Sequence, residues 1–271
     1  MCISDSIYDC SAYLSYYAEG SKKITELEHV FINYLENVDY EEITVPSLIN
    51  GEVLDKCGFF DTYPQHLSAV CSIKNENISG VTVNEIDESS LKFHNYYLTP
   101  SACVHVYPML ENKYDGKNTC YTFNEKVYRY ENGDYSNKER LWEFKVREFV
   151  FVGTVEYVQS MLNMFKTKVL SYSLLIDSNA ELIKASDTFY PTKVNNLKER
   201  LQLSNDLKYE LLMTLDNRKI ATASFNYHGT HFSKPFNFDS DGNIMSGCVG
   251  FGLDRWMLCL GNRQVPKYVA Q

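Results

Sequence analysis

Two long runs of strand-like sequence, residues 119–131 and 139–153, flank the segment 132–138, whose Asn132-Gly133 pair is a hairpin signal. Strands joined so closely pair antiparallel, because a parallel pair needs a crossover of a dozen or more residues. The pattern recurs at 207–215 and 219–227, which flank the turn pair Asp216-Asn217, and a last strand, 244–251, runs into a helix beginning near Gly252. Helical periodicity marks two long stretches. Residues 22–37 place Ile24, Leu27, Val30, Phe31, Tyr34 and Leu35 on one face, and 154–173 does the same with Val155, Val158, Met161, Leu162, Phe165, Val169 and Leu170. No alternating strand–helix–strand units occur, so the pattern points to an α+β fold, an antiparallel β-sheet flanked by helices, and away from a doubly wound parallel sheet.

Two further segments qualify this plan. In residues 40–48, Ile43 and Val45 alternate with polar residues until Pro46 stops the pairing, as in a strand that ends at an edge or interface. Residues 75–94 are acidic and polar and read as an inserted excursion, a hairpin. No internal repeat or low-complexity segment appears, and 271 residues with 44% hydrophobic content suit one large core, so a single domain over 1–271 is expected.

The net charge of −9 repels polyphosphate, and no basic arm offsets it, which disfavours nucleic acid as a partner. The N-terminal segment lacks a basic region followed by an apolar run, and apolar stretches such as Phe149–Val152 are too short to span a bilayer. The expectation is a cytoplasmic protein with reduced thiols and no membrane partner. Among its eight cysteines, Cys2, Cys10, Cys57, Cys71, Cys120 and Cys259 read as small hydrophobes or unpaired thiols, and no CxxC suggests a zinc ribbon.

Arg129 and Glu131 alternate with Tyr128 and Tyr130, so both polar side chains project from one sheet face. By the same period of two, Arg140, Trp142, Phe144, Val146 and Glu148 share a face on the next strand. Two readings fit: a solvated outer face held by ion pairs, or a cleft in which arginines neutralise phosphates, a ring stacks on a base and a carboxylate accepts from an amine. Residues 250–255, GFGLDR, form a strand-to-helix junction whose glycines permit close backbone approach. They match neither the P-loop nor the dinucleotide fingerprint. Cys103 and Cys248, each taken alone, read as core residues. His66, His105, His228 and His231 lack metal-ligand spacing and are assigned no metal role.

At motif level the chain resembles the class II aminoacyl-tRNA synthetases. YRYE (128–131) followed by RLWEF (140–144) is similar to their second signature motif, GFGLDR to their third, and DYEEITVP (39–46) to their dimer-forming first. The likeness runs from about residue 22 to the end. Within the class the chain is similar to the atypical archaeal-type seryl enzymes, and above all to the amino acid:carrier protein ligases, truncated homologues that lack a tRNA-binding domain. TPSACVHVYPML (99–110), RLWEFKVREFVFVG (140–153), ASDTFYP (185–191) and SFNYHG (224–229) carry that likeness, with Thr188 standing where the resemblance expects proline.

The resemblance implies a role for each matching position. Arg129 corresponds to the arginine that contacts the α-phosphate and the substrate carboxylate, Glu131 to the reader of the adenine amine, Arg140 to the holder of the β- and γ-phosphates, and Phe144 to the ring under the adenine. Arg255 corresponds to the third-motif arginine over the triphosphate, so Arg129 and Arg255 are the expected catalytic pair. Cys103, Glu148 and Cys248 match three zinc ligands, and Asn226, Ser246 and Gly247 lie where an amino-acid pocket floor is expected. The implied activity is activation of a small amino acid, glycine or alanine, as its adenylate with ATP and Mg²⁺, then transfer to the phosphopantetheine thiol of a carrier protein by a Zn²⁺-containing homodimer. A synthetase acting on tRNA and a non-catalytic binding paralogue are the alternatives, tRNA being disfavoured by the absence of a basic or coiled-coil arm. Lys193, Lys198 and Arg200, on an expected helix at 192–202, are the candidate carrier-facing charges.

Overall fold

The computed structural model describes residues 6–75, 82, 86–131, 133–136, 138–239 and 241–268. The chain enters through a small antiparallel hairpin, β1 (Ile7–Asp9) and β2 (Leu14–Tyr16), and passes into helix α1 (Ala18–Ile32). As the periodicity of 22–37 predicts, Ile24, Leu27, Val30 and Phe31 are buried, and Tyr34 and Leu35 follow in a short 3-10 turn. The helix starts ahead of its apolar pattern where Gly20 meets the hairpin. A Cβ at Gly20 would lie 2.6 Å from the Ser6 carbonyl oxygen, a contact that favours glycine there.

β3 (Glu41–Glu42) pairs only two residues, parallel to Tyr121–Thr122. The strand expected to reach Pro46 is therefore shorter: the Ile43 N–H still donates to the Thr122 carbonyl at 3.0 Å, after which Val45 turns into a second apolar cluster. β4 (Leu48–Asn50), helices α2 (Gly51–Lys56) and α3 (Phe59–Thr62), β5 (Ala69–Ile73) and β6 (Leu91–Leu98) come next, the strands forming a separate antiparallel sheet in the order β4-β6-β5. Of the acidic excursion at 75–94, residues 76–81 and 83–85 lie outside the described residues, and Leu91–His94 already belong to β6. A 3-10 turn, Ala102–His105, then leads into α4 (Val106–Leu110).

The long hairpin forms as β7 (Thr119–Tyr128) and β8 (Glu143–Gly153), antiparallel from Thr119↔Val152 to Tyr128↔Glu143. Both limbs stop pairing sooner than the pattern predicts. Arg129, Glu131, Arg140 and Trp142 lie on the connection: the Arg129 N–H still donates to the Trp142 carbonyl at 2.8 Å, but the Trp142 and Glu143 N–H groups turn to the Ala12 carbonyl of the entry hairpin at 2.9 and 3.3 Å. Next come α5 (Val155–Ser173), β9 (Glu181–Lys184), α6 (Lys193–Ser204), β10 (Lys208–Leu215), β11 (Arg218–Gly229), β12 (Met245–Gly252) and α7 (Leu253–Leu260). Asp216 and Asn217 take φ values of 46° and 63°, the left-handed pair that a two-residue hairpin turn requires. The β9 strand has no clear apolar alternation and is not evident in the sequence.

Seven strands make the main sheet in the order β3-β7-β8-β12-β11-β10-β9, antiparallel except between β3 and β7. The architecture is α+β, as predicted. Odd residues of β8 and β12 face α1, α5 and α7. There Phe31, Phe149, Phe151, Phe165, Phe251 and Trp256 are fully buried, and burial of each such ring contributes roughly 2–3 kcal/mol. Even residues face the other way, where Val146, Val150 and Val152 pack with Tyr107 and Phe236. Glu148 is the exception in that series.

Candidate functional site

Glu148 occupies the middle of β8, opposite Gly250 on β12 and Phe123 on β7. A Cβ at Gly250 would lie 2.8 Å from Glu148 Oε2, so the glycine makes room for the carboxylate of its neighbouring strand. That is a different use of Gly250 from the ligand approach read from the sequence. Cys248, two residues earlier on the same face of β12, pairs in register with Val150 and Asn226. Cys103 arrives from outside the sheet on the turn Ala102–His105. The ligand atoms of Cys103, Glu148 and Cys248 all lie within 4.8 Å of one another, and all three residues are buried.

Their charges conflict. Burial pushes Glu148 up to about 7, with the Cys248 hydrogen bond and the Arg129 charge pulling the other way. The hydrogen bond to Cys103, burial and the neighbouring Cys103 and Glu148 charges push the Cys248 thiol well above its ordinary value. A divalent cation among the three would relieve that conflict, and two sulfurs with one carboxylate are a donor set that could hold Zn²⁺. Neighbours hold the sulfurs: Ser101 Oγ lies 3.4 Å from Cys103 Sγ, and Asn226 Nδ2 donates to Cys248 Sγ at 3.5 Å.

His228 stands behind this group. Its Nε2 lies 3.6 Å from Cys248 Sγ and its Nδ1 3.1 Å from the Tyr107 hydroxyl, while burial and the His231 charge push it down to about 3, a neutral imidazole. The sequence reading passed over this contact, though the period of two from Asn226 to His228 on β11 was a signal for it. Ser246 is fully buried beside His228, 3.4 Å from its Nδ1. Gly247 is placed on the opposite face, where a Cβ would lie 2.8 Å from a Val158 methyl. His105 Nε2 is 2.8 Å from Thr99 Oγ1 in the core.

Arg129 stands next to this group, and its charge acts on Glu148. Arg129 Nε donates to the Pro100 carbonyl at 2.8 Å, and its guanidinium stands 5.5 Å from the centre of the Phe144 ring. Arg140 Nη1 pairs with Glu131 Oε2 at 2.9 Å, so the two residues expected to touch opposite ends of a nucleotide hold each other on the connection. Arg255, in the first turn of α7, donates from Nε to the Glu139 carbonyl at 2.9 Å and from Nη1 to the Ala221 carbonyl at 2.8 Å, which fixes its plane. Burial works against the Arg255 charge, Glu131 supports it and Arg129 opposes it, which puts these three side chains in one electrostatic neighbourhood.

Loop 185–191 closes one side. Asp187 pairs with Lys208 at 2.6 Å and accepts from Gln202 Nε2 at 2.7 Å, while Phe189 stacks on Tyr63 with centroids 5.3 Å apart. Thr188 contributes its carbonyl, which accepts from Gln65 Nε2 at 3.1 Å, a role that specifies no side chain. On α6, Lys198 Nζ donates to Thr62 Oγ1 at 3.1 Å, whereas Lys193 and Arg200 are exposed.

Similarity to known proteins follows the same outline. The described chain superposes on the SerRS of M. kandleri, solved with A. aeolicus tRNASec, with a TM-score of 0.72 at 19% identity, covering 97% of this chain and 60% of that one. A Giardia lamblia prolyl-tRNA synthetase in complex with prolyl-adenylate superposes with a TM-score of 0.69 at 13% identity, over 96% and 50% of the two chains. The fold is that of a class II aminoacyl-tRNA synthetase core. In sequence this class II core is 28% identical over 225 residues to amino acid:acyl-carrier-protein ligase 1 of Bradyrhizobium diazoefficiens, covering 79% of this chain and 69% of that protein. It is also 28% identical over 249 residues to the type-2 serine–tRNA ligase of Methanococcus maripaludis strain S2, covering 83% of this chain and 48% of that protein. The chain thus spans about half the length of the seryl relative. No protein-family model matches the class II core described here.

Proposed function

We propose that the chain activates a small amino acid, glycine or alanine, with ATP and passes it to the phosphopantetheine thiol of a carrier protein. The observation that supports this most is that Arg129 links the Cys103–Glu148–Cys248 group to Arg255, its charge acting on Glu148 on one side and on Arg255 on the other. Cys103, Glu148 and Cys248 would hold a zinc ion, which would supply a Lewis-acid site for a neutral amine and so favour amino acids over hydroxy acids. Arg129 holds the substrate carboxylate against the α-phosphate, and Arg129, Arg140 and Arg255 neutralise charge as the carboxylate oxygen bonds to phosphorus and pyrophosphate leaves, to which a bound Mg²⁺ would add further charge neutralisation. Glu131 accepts from the adenine amine and Phe144 packs under the ring. In the second step the carrier thiolate attacks the acyl carbon and AMP departs.

Asn226 donates to Cys248 Sγ and so borders the amino-acid end, with Ser246 and His228 packed behind it. A single catalytic domain over 1–271 and a homodimer paired near the β3 edge are parts of the same proposal, as is a cytoplasmic setting. Transfer to tRNA is the second reading, kept by the equal 28% identity to a serine–tRNA ligase and opposed by the net charge of −9. The acceptor decides between them. Labelled glycine or alanine should appear on a phosphopantetheinylated carrier protein and not on tRNA, and charging of tRNA alone would reverse the assignment.

A further inference from the structure

The entry hairpin is small, yet it reaches well beyond its own two strands. Among the described residues, Ile7 and Leu14 enter the core cluster and Tyr16 packs against it, while the hairpin's polar contacts reach two separate pieces of the site. The first is the connection between β7 and β8. Lys138, only 7% exposed, pairs with Asp9 Oδ1 at 2.7 Å and donates to the Ser11 carbonyl at 3.2 Å, and the Ala12 carbonyl accepts from the Trp142 and Glu143 N–H groups. These bonds grip the connection on both sides of Arg140. The second piece is the first turn of α7. The Tyr16 hydroxyl donates to Asp254 Oδ1 at 2.5 Å, Asp254 Oδ2 accepts from the Lys145 N–H at 2.5 Å, and Lys145 Nζ lies 4.6 Å from the centre of the Tyr16 ring. Asp254 immediately precedes Arg255.

We infer that the β1–β2 hairpin is a clamp for the nucleotide arginines, with Asp9, Lys138 and Tyr16 as its positioning residues. An ammonium buried to this degree is costly wherever it lacks its partners, so Lys138 is stable only where Asp9 and the Ser11 carbonyl wait for it. That requirement fixes the limb of the connection carrying Arg140. The Tyr16–Asp254 bond sets the turn carrying Arg255 from the same hairpin, so both side chains are held at one spacing before a triphosphate arrives. None of the three positioning residues touches the nucleotide in this scheme. They act through the arginines.

The kinetic consequence rests on the ATP reading proposed above. Lys138→Met removes the cation without leaving a buried charge unpaired, and should raise the KM for ATP about tenfold while the KM for the amino acid stays put, since displaced positioning groups cost roughly that much or more. Lys138→Arg, which keeps the charge, should restore most of the loss. Backbone amide exchange supplies a readout that needs no substrate: Trp142 and Glu143 should exchange faster in Lys138→Met, and the first turn of α7 faster in Tyr16→Phe. Unchanged exchange at these amides would overturn the clamp, as would an equal rise in both KM values. A wild-type protein that activates no amino acid would sink the ATP reading, and the amide exchange would still decide whether the hairpin holds the connection.

Discussion

Glu148 joins the two halves of the site, because its carboxylate lies against Cys248 on one side and within the field of Arg129 on the other. If the three donors hold zinc, metal analysis of the purified protein should give about one equivalent per chain. Cys103→Ala should lose it, and a Cys103→Ala protein with full zinc content would remove the site. Arg129→Ala and Arg255→Ala should each slow adenylate formation a hundredfold or more, about 3–4 kcal/mol of lost charge stabilisation, with zinc content unchanged. Either variant retaining near-wild-type rate would take that arginine out of the mechanism. Asp187 supports a test of the neighbouring loop. Burial pushes its pKa up, but Lys208 and hydrogen bonds from Gln202 and Tyr63 outweigh this and hold it at about 2. A carboxyl depressed on folding stabilises the folded state above its unfolded pKa and loses that effect as pH falls. Asp187→Asn should therefore lower stability by about 2 kcal/mol near neutral pH, with the difference fading between about pH 4 and pH 2. Urea midpoints across that range would show it. Single residues were the least legible feature of the sequence. Cys103 and Cys248 read as core thiols one at a time and come together only through the resemblance, and the Glu131–Arg140 pair falls under the general reading of an ion-paired face, since both residues lie beyond the last paired residues of their strands, where no register names the partners.

At the level of elements, period-two and period-3.6 patterns were read well where one side of the element packs on a core. α1, α5, β7, β8, β10, β11 and β12 all carry such patterns, and the alternation on β8 correctly put Phe144, Val146 and Glu148 on one face. Short or polar elements were lost. β9 has only four residues and three of them are exposed, so no burial constraint shaped its sequence. β3 pairs over fewer residues than the alternation predicts, since beyond the Ile43 bond to Thr122 it is packing in the second cluster that keeps Val45 apolar. α6 forms as expected, and beside its charges it exposes an apolar row of Val194, Leu197 and Leu201. If this helix meets the carrier protein, Lys193→Glu with Arg200→Glu should slow acyl transfer to the carrier and leave adenylate formation untouched. Lys198 is better left in place, because it ties α6 to Thr62. Unchanged transfer would move the docking surface elsewhere.

Over the whole molecule, the antiparallel class was legible because hairpin signals and the absence of crossover helices leave few alternatives, whereas the parallel placement of β3 beside β7 depends on long-range pairing that no local pattern records. Among the described residues no helix is long and apolar enough to cross a membrane. The short β3 strand leaves one edge of the main sheet covered by only two paired residues. A closed two-fold pairing at that edge predicts twice the chain mass in light scattering at micromolar concentration, and a monomer mass would count against it. The account as a whole depends on the arginine and donor groups working together on one substrate. Amino-acid-dependent exchange of labelled pyrophosphate into ATP measures that directly. Zinc-replete protein should catalyse exchange with glycine or alanine and not with the corresponding hydroxy acids, and absence of exchange with every amino acid tested would contradict the account.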